Sequence, residues 1–189
     1  MPRKVFKLLA GFDKPWFVAG GWAIDLFLER VTRIHEDIEI AILRQDQLVL
    51  QSYLTGWEFE KVIPGRKMRR EKWDEGEWLD LPVHEIHGRN ATSDPSTLEI
   101  LLNESSGDEW KFRRNLKILR PQSMIGLHSE NGIPFLSPEI VLLYKARNPT
   151  ANDEADFDKV CPRLDREPRH WLKHAIEACH PGHPWLEIL

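Results

Sequence analysis

A chain of 189 residues with 41% hydrophobic and 30% charged side chains has the composition of a soluble globular protein with room for a core, which excludes a disordered tail protein. No apolar run approaches the ~18–20 residues that span a bilayer, and two cysteines, Cys161 and Cys179, exclude a disulfide framework and a four-cysteine zinc site. With 26 basic against 30 acidic side chains the net charge is −4, unlike a protein that coats nucleic acid; residues 1–7 are charged and lack the apolar core of a secretory signal, so a reduced, cytoplasmic setting is expected.

In chain order, residues 16–21, Trp-Phe-Val-Ala-Gly-Gly, predict a short buried strand ending in a glycine turn, followed by a helix over 21–30. Residues 35–43 alternate: Ile38, Ile40 and Ile42 point one way, Asp37, Glu39 and Ala41 the other. A helix is expected over 45–54, stopped at Gly56, and a strand over 57–63 before the Pro64-Gly65 turn. The charged stretch 66–78 predicts a loop or irregular hairpin. Strands follow at 81–87 and 97–102, separated by the polar loop 88–96, with short strands at 110–112 and 118–119. Asn131-Gly132 carries a hairpin-turn signal. Helices then take over. Ser137-Pro138-Glu139 supplies a cap, a first-turn proline and an acid at the positive end of the dipole. Further helices are expected over 152–160 and 168–179, with 180–185 as a rigid cap that tucks Trp185 into a groove. The class is α+β: a core with appended strands over 1–136, and a helical segment over 137–189 packed on it.

The chemistry concentrates in residues 20–40. Two glycines at a helix start let backbone approach a phosphate closely and donate N–H groups to it. Asp37 and Glu39 then lie two residues apart on one strand face, about 7 Å apart. Confining two such carboxylates is unfavourable without a cation between them. Hard oxygen donors suit Mg²⁺, which takes one or two carboxylates plus substrate phosphates. Either feature alone usually means only a turn or a half-exposed strand; together, in this order, they describe a metal–nucleotide site.

At these residues the chain resembles a known superfamily. Gly-Gly, a helix, then Asp-x-Asp/Glu on a strand is the signature of nucleotidyltransferases with the polymerase-beta-like fold. Gly20-Gly21-Trp22-Ala23-Ile24-Asp25, with Arg30-Val31-Thr32-Arg33-Ile34-His35-Glu36-Asp37-Ile38-Glu39, is similar to the aminoglycoside 2''-adenylyltransferase pattern and to lincosamide nucleotidyltransferases. The close match covers 16–42. A second, weaker one lies at 137–164, where Leu142-Leu143-Tyr144-Lys145-Ala146 precedes Asp153 and Asp156-Phe157, with Asn152 where the family often has lysine.

The resemblance implies a mixed sheet flanked by helices, and transfer of a nucleoside monophosphate, by analogy AMP from ATP, to a hydroxyl of a small aminoglycoside-like molecule with release of pyrophosphate. Asp37 and Glu39 would hold Mg²⁺. A third carboxylate from a later strand would hold metal or act as base; Glu99 is the choice, with Asp80 and Glu85 as alternatives. Gly20 and Gly21 would meet the triphosphate. Arg33 and His35 would touch phosphates or brace the metal strand, and Lys145 would reach the triphosphate as a point charge. Two other readings keep the fold: a toxin-like enzyme that modifies RNA or protein, with Arg66, Lys67, Arg69, Arg70, Lys72, Arg113 and Arg114 lining the path, or an inactive nucleotide-binding protein. Among the histidines, His84 and His87 face opposite sides of a strand, which argues against shared zinc ligation. His170 and His174 read as an exposed pair, and both cysteines as structural.

Overall fold

A computed structural model describes residues 1–65 and 67–189 of the chain. The elements run α1 (Pro2–Leu8), β1 (Trp16–Val18), α2 (Gly20–Phe27), β2 (Glu39–Leu43), α3 (Gln47–Tyr53), β3 (Glu58–Ile63), β4 (Arg69–Lys72), β5 (Glu85–Arg89), β6 (Thr97–Ser106), β7 (Glu109–Lys111), β8 (Leu119–Pro121), β9 (Gly126–His128), β10 (Pro134–Leu136), α4 (Pro138–Lys145), α5 (Ala151–Val160) and α6 (Arg166–Cys179). The mixed sheet has the order β4-β3-β5-β6-β2-β1-β10-β9, and the far end of β6 continues into an antiparallel meander with β7 and β8.

Two parallel pairings set the topology. Strand β2 pairs with β6 in the register Glu39–Glu99, Ile40–Ile100, Ala41–Leu101, and β1 pairs with β10. Strand β1 is antiparallel to β2, and β5 to β6. The alternation expected along β2 has its physical cause in the core: Ile38, Ile40 and Ile42 are buried on one face together with Leu98, Ile100 and Leu102 of β6. That leaves Glu39 and Glu99 on the other face.

Several boundaries differ from the sequence expectation. Helix α1 is an addition; it is short and lacks a side-chain cap. It is held by the Tyr53 hydroxyl, which donates to Leu8 O at 3.0 Å and accepts from Gly11 N at 3.2 Å. Residues 81–84 are not strand, because β5 starts only at Glu85. Asp37 precedes β2 rather than lying in it. Strand β6 extends to Ser106, its second half finding a partner in β7. The stretch expected as a loop or irregular hairpin over 66–78 contributes one strand, β4, which pairs back onto β3, and is otherwise loop; Arg66 lies outside the described residues.

The helices pack through specific polar anchors. Glu139 is the first-turn acid of α4 as expected, and it is also buried, 2.7 Å from Arg120 Nη2; Arg120 holds Glu167 with both Nη atoms as well. Ser137 does not cap α4 by its side chain; its hydroxyl donates to Met124 O at 3.1 Å. Helix α5 gains a capping box between Thr150 and Asp153. Trp185 is buried as expected: it stacks on Phe157 at 4.2 Å and 8°, and its Nε1 donates to Glu154 at 2.6 Å. Among the described residues, no helix is long and apolar enough to cross a membrane. Trp185→Ala removes both contacts and is expected to cost about 3–5 kcal/mol of stability. The readout is a lower urea midpoint at unchanged slope.

Candidate active site

The site is built where β1 ends, α2 begins and β2 passes alongside. Ala19 N donates to Glu39 O at 2.8 Å, which ties the end of β1 to the start of β2. Gly20 then turns with φ +57°, a backbone state glycine adopts without strain. A methyl group at Gly20 would overlap Glu39 Oε2, and one at Gly21 would strike the Arg33 guanidinium and the His35 ring. Both glycines therefore make room for the polar side chains of the following segment. Helix α2 begins with Ala19 as its cap and no side-chain hydrogen bond there, so its first N–H groups have no side-chain acceptor.

A buried carboxylate fixes the segment between α2 and β2. Asp25 Oδ1 accepts from Thr32 N at 3.0 Å and from Thr32 Oγ1 at 2.7 Å, while Oδ2 lies 2.6 Å from His35 Nε2. Asp25 and His35 side chains are 3% and 5% exposed. The His35 ring also packs on Trp22 at 4.5 Å, and Trp22 Nε1 donates to Asp37 O at 3.1 Å. His35 thus braces the strand entry, one of its two sequence-based roles; it is not among the residues lining the cavity.

Pairing with β6 brings Glu99 beside Glu39, on adjacent strands about 4.8 Å apart and on the same face. Across β5, His87 is the register partner of Glu99, with Nδ1 3.3 Å from Glu99 Oε1 and Nε2 2.7 Å from Glu85 Oε1. Asp37, exposed, faces a small cavity that it shares with Glu99, His87, Arg70 and Arg89. Glu39 lines the neighbouring cavity of about 500 Å³, with Gly20, Gly21, Arg33, Lys145 and Glu85. Asp80 lies on an exposed loop, where its Oδ1 accepts from Trp78 Nε1 at 3.0 Å; it lines neither cavity.

The carboxylates repel one another, and this shows in their acidities. Burial, with Glu99, Glu85 and Asp37 nearby, pushes Glu39 up to about 7 against the partial relief of Lys145. Burial also raises Glu99, opposed by His87. Lys145 is itself held by Asp153 and by Asp156 at 3.1 Å, and Arg33 lies 4.0 Å from Asp156. Oxygen-only donors crowded on one face fit a hard divalent cation. Among the described residues no group of three or more His, Cys, Asp or Glu side chains is placed to hold a metal ion, so Asp37, Glu39 and Glu99 do not converge as the sequence predicted; a cation here would draw most of its shell from phosphate and water oxygens.

Lys67, Arg69, Arg70 and Lys72 of the basic run are exposed on and beside edge strand β4, and Arg66 lies outside the described residues. Arg113 and Arg114 instead line the large cavity beside α4. His84 lines that cavity and His87 the smaller one, so the two histidines are separated as their spacing implies. His170 and His174 are exposed, with rings 4.1 Å apart, and both cysteines are free. The bridge made by His87 escaped the sequence reading, because its signal, a histidine opposite an acid, exists only once the β5–β6 register is known.

Comparison with known proteins comes to the same place. A family model described as aminoglycoside-2''-adenylyltransferase matches residues 3–160. No curated protein sequence matches the chain. Among solved structures, the solution structure of the antibiotic-resistance factor ANT(2'')-Ia aligns at 18% identity with TM-score 0.58, covering 93% of this chain and 89% of that one. A crystal structure of ANT(2'')-Ia with adenylyl-2''-tobramycin aligns at 17% identity with TM-score 0.59, covering 93% and 94%. The lincosamide adenylyltransferase LnuA, lincomycin-bound, aligns at 18% identity with TM-score 0.54, covering 82% and 91%. At these identities the structures establish a shared fold.

The acidity of Glu39 has a measurable consequence. Its folded pKa, about 7, lies above the ordinary 4.5, so between those values the folded state binds more protons than the unfolded one. Stability contributed by protonated Glu39 is therefore present below pH 4.5 and lost as pH rises through 7. Glu39→Gln is expected to gain on wild type across pH 4.5–8, by up to roughly 3 kcal/mol, since each tenfold change in proton affinity is worth about 1.4 kcal/mol. Thermal unfolding of both proteins, in buffer without divalent cation, checks this.

Proposed function

Since the chain belongs to the aminoglycoside-2''-adenylyltransferase family and is a nucleotidyltransferase, we propose that it transfers AMP from ATP, with Mg²⁺, to a hydroxyl of a small polyhydroxylated acceptor of the antibiotic kind. The observation that supports this reading is the β2–β6 register, which sets Glu39 beside Glu99 next to the Gly20-Gly21 start of α2.

The residues divide the work by chemistry. The uncapped N–H groups at the start of α2 donate to phosphate oxygens, and Arg33 and Lys145 add positive charge on the same wall. Lys145 is pre-positioned by Asp153 and Asp156, which spares the ordering of a long flexible side chain on binding. Asp37, Glu39 and Glu99 would hold Mg²⁺, which supplies charge stabilisation at the attacking and leaving oxygens. Glu99, its acidity weakened by burial, is the base that takes the hydroxyl proton as the acceptor oxygen bonds to the α-phosphorus. The bond to the β-phosphate bridge breaks, and pyrophosphate leaves. His87, held between Glu85 and Glu99, fixes the orientation of the Glu99 carboxylate.

Calorimetric titration of each nucleoside triphosphate, with and without Mg²⁺, tests the reading on wild type and Asp37→Ala. Mg²⁺-dependent binding of ATP is expected in wild type, weakened at least about tenfold in the variant, or ~1.4 kcal/mol. Absence of binding to wild type, or equal binding to the variant, contradicts it.

A further inference from the structure

The large cavity does not end at the carboxylates. It runs under α4 to a wall formed by Arg113 and Arg114, with Arg147 beside them. Both Arg113 and Arg114 place their guanidinium carbons 5.3 Å from the centre of the Tyr144 ring. That ring is itself fixed: it meets Phe112 edge-on at 4.9 Å, and its hydroxyl lies 3.3 Å from Asn103 Oδ1, which also accepts from Trp110 Nε1 at 3.0 Å. Arg114 Nη1 further donates to Tyr144 O at 2.7 Å. Two guanidinium groups are thus held on one rigid aromatic post.

Their charge is not matched by an ion pair. Among the described residues the ion pairs use Lys145, Arg33 and Arg120, but none includes Arg113, Arg114 or Arg147. Of the acids that line the cavity, Asp153 pairs with Lys145 and Glu85 with His87, leaving Glu85 only a partial through-space relief of Arg113, while Glu39 lies against Gly20. Partial burial lowers the guanidinium pKa of both Arg113 and Arg114, with Arg147 adding to it at each and Arg113 adding to it at Arg114, which falls to about 10. Gathering unpaired cations in a concave wall costs stability; a bound anion removes that cost, with the planar fork of arginine matched to phosphate and carboxylate.

We propose that Arg113, Arg114 and Arg147 form an oxyanion-binding subsite for a phosphoryl or carboxylate group of one of the two substrates. The inference rests on the nucleotidyl-transfer reading for the identity of those substrates, not for the anion itself. It also narrows the acceptor: a polycation would meet three guanidinium groups at this end of the cavity, whereas an acidic substituent would be held by them.

The test compares wild type with Arg113→Gln/Arg114→Gln at constant ionic strength, following the unfolding midpoint as inorganic phosphate replaces chloride. Phosphate is expected to raise the wild-type midpoint and to protect the variant far less. Without phosphate the variant should melt no lower than wild type, because it has lost an unpaired charge cluster; a structural role for the arginines would lower it. If the double variant does not fold, Arg113→Gln alone keeps the Arg114 bond to Tyr144 and serves instead. ATP with Mg²⁺ locates the source of the anion. An affinity about tenfold weaker in the variant assigns the subsite to the nucleotide; unchanged affinity with lost phosphate protection assigns it to the acceptor. Equal phosphate protection of both proteins, or none of either, overturns the proposal. A wild type that binds phosphate through these arginines but not ATP fails only the nucleotidyl-transfer reading.

Discussion

Parallel pairing of β2 with β6 is the constraint on which the molecule turns. Parallel neighbours need a long crossover, and here it carries α3, β3, β4 and β5, the last of which returns to flank β6 on its other side. The apolar alternation of Ile38, Ile40 and Ile42 against Leu98, Ile100 and Leu102 locks the register, since a slip of one residue would turn that buried set to the opposite face. The core therefore determines that Glu39 and Glu99 sit side by side. The geometry of the candidate site is here a by-product of hydrophobic burial one residue away on each strand.

The structure holds like charges together at some cost. Glu39 is raised to about 7 by burial and by three neighbouring acids, and the compensating groups nearby include His87, Arg70 and Lys145, the last shared with Asp153 and Asp156. Buried acids that serve structure look different. Asp25 has both oxygens engaged, by Thr32 and His35, and Glu139 is matched by Arg120. The contrast between the satisfied acids of α2 and α4 and the crowded acids on the sheet face separates scaffold from site. Strongly perturbed groups in a cleft are where function is expected.

Much of this was legible in the sequence. Glycines at a helix start and period-two alternation are local signals, so the strand, glycine turn, helix and Asp37/Glu39 spacing of residues 16–43 could be read from residue order, while the choice of Glu99 and the fold family came from the resemblance. The start of β5, the length of β6 and helix α1 were not legible, because pairing partners and Tyr53 decide them from far along the chain. His35 had two readings that only three-dimensional packing on Asp25 and Trp22 separates. Arg113 and Arg114 look like any surface dibasic pair until α4 brings the Tyr144 ring within 5.3 Å of both guanidinium carbons. The glycines had a second purpose that spacing did not disclose: they leave space for Glu39, Arg33 and His35.

In the proposed function, Asp37, Glu39 of β2 and Glu99 of β6 form one cation–nucleotide site. Crystals grown with Mn²⁺ and a non-hydrolysable ATP analogue test it most directly, because anomalous scattering locates the metal independently of any assumed chemistry. The expected result is a peak bounded by Asp37, Glu39 and Glu99, with the triphosphate running to the start of α2 at Gly20 and Gly21. A metal and triphosphate bound away from that sheet face, with Glu99 turned to solvent, would contradict it.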